Sequence, residues 1–183
     1  MKNNIRCSLQ ERPYLNQISV NFIDNFIFES TKFLSRNFIL TGKLESTTLN
    51  YLHSAEEYFI ATENVKGEIY INKYILSCRL FKAYRLKNIQ SIIEILGCIT
   101  MLISFARENQ ISQPSHQKLF AKALFFLGKI YFDNEQYFES FCVLLEAQTK
   151  LEKLLIYYPI YPKATDLLNR VKSKLEFIRM AKL

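Results

Sequence analysis

The chain has 183 residues, 49% of them hydrophobic, with 15 Phe, 11 Tyr and no Trp. That length fits one domain or a short stack of helical hairpins, and four Gly and four Pro supply too few turns for a β-rich fold. The net charge of +7 suits an acidic protein, nucleic acid or anionic lipid as partner, and four Cys without a CxxC pair argue against a disulfide framework.

Residues 1–14 show no apolar period and are expected to form an irregular N-terminal arm, with 15–183 a single helical domain. The opening Met1-Lys2-Asn3-Asn4-Ile5-Arg6 lacks the apolar stretch of a secretory signal. From about Leu15 to Asn37, Phe22, Ile23, Phe26, Phe33 and Leu34 recur with a helical period, and Gly42 is the expected terminator. A second helix, Ser46–Thr62, has Ser46 as its N-cap and Leu49, Leu52, Ala55 and Phe59 on its buried face. After a break at Glu63–Gly67, a third covers Glu68–Lys87 with Tyr70, Tyr74, Ser77, Leu80, Phe81 and Tyr84 on one stripe. The fourth, Gln90–Glu108, is apolar nearly all round, the pattern of a helix packed on several sides. Its uncharged run, Ile95–Ala106, falls short of the ~20 residues a membrane span requires, so a cytoplasmic protein is expected. Asn109–Ser115 reads as a loop, with Pro114 opening a fifth helix from about Ser115 to Phe132. The sixth, Tyr137–Tyr157, stops at Pro159-Ile160-Tyr161-Pro162. The last, Lys163–Lys182, aligns Ala164, Leu167, Leu168, Val171, Leu175 and Ile178.

Leu124, Leu127, Gly128 and Tyr131 share a face of the fifth helix. Tyr137, Ser140, Leu144 and Ala147 do so on the sixth, across the short turn Asp133-Asn134-Glu135-Gln136. These residues resemble the signature of the tetratricopeptide repeat, with Ser140 standing where the family usually carries Ala. Moving back 47 residues sets Leu80 on Leu127, Phe81 on Gly128 and Tyr84 on Tyr131, a weaker copy at a spacing beyond the family's usual ~34 residues. The resemblance implies an all-α fold: antiparallel hairpins stacked as a short tetratricopeptide-like α-solenoid of about seven helices.

It also implies a non-catalytic scaffold or adaptor that holds a segment of another protein in a concave groove lined by the first helix of each hairpin. Carried over position by position, the groove residues are Lys122, Phe125, Lys129 and Phe132 of the fifth helix, and Ile75, Cys78, Lys82 and Arg85 of the third. Cations beside apolar groups suit an acidic, partly hydrophobic segment, since charge steers the encounter and apolar contact holds the complex. The alternative is a constitutive subunit of a larger protein or ribonucleoprotein assembly, touching nucleic acid or an anionic membrane through the last helix. Lys163, Arg170, Lys172, Lys174, Arg179 and Lys182 there outnumber Asp166 and Glu176, and Arg170 and Lys174 are its candidate contacts.

Signals for catalysis are sparse. His53 and His116 read as surface or cap residues, and neither HExxH nor a Cys/His cluster with ligand spacing occurs. Glu56 and Glu57 point about 100° apart on a helix and cannot flank one bond. The four Gly are isolated, so no phosphate loop forms. No catalytic residue, metal or cofactor is expected, and Cys7, Cys78, Cys98 and Cys142 read as reduced thiols, mostly among apolar neighbours.

Overall fold

Where each helix stops is decided by how its last carbonyls find donors. The computed structural model describes residues 12–43, 45–111 and 113–181. Seven helices run through them: α1 Arg12–Thr41, α2 Glu45–Ala61, α3 Val65–Arg85, α4 Ile89–Glu108, α5 Pro114–Asp133, α6 Tyr137–Tyr157 and α7 Pro162–Ala181. No strand occurs among the described residues.

Four helix ends repeat one turn. The amides of Asn64, Asn88, Ile111 and Gln136 donate to the carbonyls of Phe59, Ala83, Ala106 and Tyr131, five residues back. The residue before each, Glu63, Lys87, Gln110 or Glu135, holds a left-handed φ of 53°, 51°, 59° or 62°. This is the Schellman arrangement, built here without glycine. Asn64 and Asn88 then start the next helix, their side chains accepting from the Gly67 and Ser91 amides. Gly42 ends α1 as expected, at φ 68° with its amide donating to the Phe38 carbonyl. Several boundaries differ from the sequence reading: α1 runs on to Thr41, and α3 already begins at Val65, inside the expected break. Helix α1 already begins at Arg12, and α2 begins at Glu45, which leaves Ser46 inside the first turn rather than at the cap.

The helices form a two-layer ladder of antiparallel hairpins, a short all-α solenoid. Each packs on its chain neighbours, and α1, α3, α5 and α7 also touch in succession to make one layer. Among the described residues α2, α4 and α6 touch only their chain neighbours, so they form the second layer with gaps between them. One core runs from α3 to α7, and a second joins α1, α2 and α3 around Phe38, Leu52, Phe59 and Ile75. Helix α5 meets four others and buries ten of its residues. The α7 stripe from Ala164 to Ile178 is buried as its period demands.

Helix α4 departs from its expectation. It buries only Ile92, Ile95, Ile99, Leu102 and Ala106, while Ile93 and Met101 are exposed, because the second layer gives it no lateral neighbour. It is also the one helix among the described residues that is long and apolar enough to cross a membrane by length and composition alone. The uncharged run Ile95–Ala106 understated this, since its flanks add apolar residues with few charges. In α1 the periodic Phe22, Ile23, Phe26 and Phe33 face outward, and Thr31, Ser35 and Phe38 face the core.

A candidate binding surface on the odd-numbered helices

Equivalent positions in α3 and α5 follow from their shared turn. Arg85 and Asp133 end the two helices and Lys87 and Glu135 are the left-handed residues, so the offset is 48. The sequence reading used 47. One residue rotates a helical position by about 100°, enough to move a side chain to another face.

That shift explains which predicted groove residues come together. Phe125, Lys129 and Phe132 of α5 line a groove of about 660 Å³ with Arg170, Lys174 and Phe177 of α7. The predicted groove and the predicted basic helix are therefore one surface. Lys122, one turn before Phe125, lines an adjoining cavity with Tyr74 and Ser77, the α3 positions that the offset of 48 selects. Lys82 and Arg85 lie elsewhere. The Lys82 ammonium pairs with Glu45 at the start of α2 and borders the α3–α4 gap. The Arg85 guanidinium packs against Gly42, at the end of α1. Ile75 and Cys78 are buried in the smaller core.

The cations of this face have aromatic partners instead of acidic ones. Lys174 Nζ stands 3.1 Å from the Phe132 ring centre, and the Arg170 guanidinium lies 5.0 Å from Phe125. Lys122 covers Phe126 and Lys129 covers Tyr84, each at 5.3 Å. Lys118 lies 5.6 Å from Tyr161, and Lys73 lies 4.6 Å from Tyr74. Among the described residues none of these six, nor Lys163, has a carboxylate at ion-pair distance. Asp133, whose charge favours the Lys174 ammonium, pairs with Lys87. Ring faces hold the long side chains in place without cancelling their charge, which leaves the surface electropositive.

Burial first, and the crowding of like charges second, lowers the proton affinities of these lysines. Burial, then repulsion from Lys118, Lys32 and Lys163, brings Lys73 down to about 8. Burial and neighbouring cations lower Lys118 and Lys122 as well. Burial also lowers Lys174, with Lys129 adding to it against the opposing pull of Asp133.

Sequence reasoning missed Lys73 and Lys118 and misjudged His116. That histidine is 2% exposed, its Nδ1 has no hydrogen-bond partner, and burial beside Lys73 lowers it to about 4. It is neither a surface nor a cap residue, because the first turn of α5 tucks under α3. His53 keeps a half-buried contact of 3.3 Å to Glu56. Cys78 is buried, but Cys98 and Cys142 are exposed, and Cys7 lies outside the described residues. No group of three His, Cys, Asp or Glu side chains gathers for a metal among the described residues. Comparison with protein-family models, curated proteins and solved structures finds no match to this chain.

Proposed function

We propose that this chain is a tetratricopeptide-like, non-catalytic interaction module of the cytoplasm whose odd-helix face holds an acidic, partly apolar segment of another protein. The observation that carries the proposal is the row of cations on aromatic rings, without acidic partners, along α5 and α7. Such a row steers and neutralises carboxylates, while Phe132 and Phe177 supply apolar contact and Phe125, only 4% exposed and part of the core, backs the groove. The close Gly128–Ser140 crossing is in keeping with a tetratricopeptide-like hairpin. Fluorescence anisotropy with peptides of alternating Glu and Phe, compared with Gln/Phe peptides of equal length, tests it. Binding confined to the acidic series and lost in Lys129→Glu/Lys174→Glu supports the reading, and equal binding of both series defeats it.

A second reading, a constitutive subunit of a larger protein or ribonucleoprotein assembly, draws on α1. Phe22, Phe26, Phe33 and Leu40 are 73%, 64%, 66% and 70% exposed along that terminal helix. With 150–250 Å² of burial available per aromatic ring, the stripe offers roughly 500 Å². That approaches the apolar share of one side of a standard interface of about 800 Å² per partner. An amphipathic helix of another subunit fits there as the next rung of the ladder. Phe26→Glu/Phe33→Glu should fold normally yet elute from native extract at monomer mass. An unchanged elution position for variant and parent would remove this reading.

A further inference from the structure

At the open end of the odd-helix face, the first turns of α5 and α7 meet the middle of α3 around a cavity of about 470 Å³. Lys73, Lys118, Lys122 and Lys163 line it, and no carboxylate does. Both helices begin with proline, Pro114 and Pro162, and neither has an acidic residue in its first turn. Gln113, the N-cap of α5, makes no side-chain cap hydrogen bond. Two positive helix ends therefore border, and four lysines line, one space that no carboxylate lines.

From this convergence we propose that the cavity binds a phosphoryl dianion, carried by a phosphorylated side chain of a partner segment or by a small phosphorylated molecule. A carboxylate brings one charge, whereas a phosphoryl group brings nearly two and three acceptor oxygens, the better match to four donors. The depressed proton affinity of Lys73 and Lys118 fits a site whose charges await neutralisation. Lys122 borders the cavity one turn before Phe125 of the adjoining groove, so a segment lying along α5 reaches both. The peptide source rests on the function proposed above; the phosphoryl site itself does not.

Calorimetric titration of the full chain with inorganic pyrophosphate, and with a Glu/Phe peptide bearing or lacking one phosphoserine, tests the proposal. Pyrophosphate should bind, and Lys73→Met/Lys118→Met should weaken it by about tenfold or more while helical content is unchanged. Lys163→Met, at an exposed helix start, gives the same loss in smaller degree if the double variant folds poorly. Lys174→Met, in the neighbouring groove, should leave pyrophosphate binding within about twofold. A phosphopeptide preferred over its unmodified form assigns the phosphoryl group to a partner segment, and pyrophosphate binding without that preference assigns it to a small molecule. No pyrophosphate binding up to about 10 mM, or binding indifferent to Lys73, Lys118 and Lys163, overturns the site. Loss of the unmodified acidic peptide alone would instead count against the groove reading.

Discussion

Ser140 Oγ donates a buried hydrogen bond of 2.7 Å to the Gly128 carbonyl, pinning α6 to α5. A Cβ on Gly128 would stand 2.7 Å from Leu144 Cγ, so only glycine permits this approach without a shift. Ser140→Ala should cost about 1 kcal/mol, because it removes a buried hydrogen bond that supplements the helical donor of the Gly128 carbonyl. Gly128→Ala should cost about 1–2 kcal/mol, overcrowding outweighing the gain in helix propensity. Leu144→Ala frees the space the new methyl needs, so Gly128→Ala should cost less in that background. Urea denaturation of the four-member cycle measures this coupling, and strict additivity would show that Gly128 and Leu144 do not contend for the same volume.

The four glycine-free turns give a prediction of opposite sign. Glu63, Lys87, Gln110 and Glu135 hold left-handed backbone that disfavours a side chain. Replacing Lys87 or Glu135 by Gly should stabilise the chain by about 0.5 kcal/mol each, after subtracting glycine's extra freedom in the unfolded state. Gly42→Ala should destabilise it by about 1 kcal/mol or more, since its φ is 68° and the Arg85 guanidinium fills the space of a Cβ. Thermal unfolding of the single variants resolves both signs.

His116 sets an acid limit on stability. The folded chain keeps it neutral down to about 4, through burial and then the Lys73 charge, whereas an unfolded histidine titrates near its ordinary 6.5. Between those values the unfolded state binds more protons, so stability is full above about pH 6.5 and falls as pH drops toward 4. The loss from this group alone is on the order of 3 kcal/mol. His116→Leu should flatten that part of the pH–stability curve, and a slope equal to the parent's would assign the acid sensitivity to other groups.

The helix count was legible because apolar residues recur at a helical period along the chain; in α7 the stripe from Ala164 to Ile178 is also the buried one, whereas of the α3 stripe only Leu80 is buried. What periodicity did not reveal is the other side of each stripe. Helix α4 is apolar on faces that no neighbour covers, and α1 turns Phe26 and Phe33 outward while burying Thr31 and Ser35. Composition records no preference for inside over outside when both faces are apolar. The surface on α5 was readable from spacing within one helix. Its α3 half was lost by one residue of register, which drew in Lys82 and Arg85 and left out Tyr74 and Ser77. The matching turns Leu86-Lys87-Asn88 and Asn134-Glu135-Gln136 carry the signal that corrects it, because a turn fixes register more firmly than a stripe of similar residues does.

The same register separates two sets of lysines that composition treats alike. Lys129 and Lys174 stand unpaired on the groove, and Lys82 is paired with Glu45 away from it. Anisotropy titration of one labelled Glu/Phe peptide against the parent, Lys129→Glu/Lys174→Glu and Lys82→Glu therefore tests the account most directly. The groove variant should lose about tenfold or more in affinity, with a weaker salt dependence, while Lys82→Glu stays within about twofold of the parent. Equal losses in both variants, or none in either, would mean that the peptide responds to net charge or to another surface and not to this face.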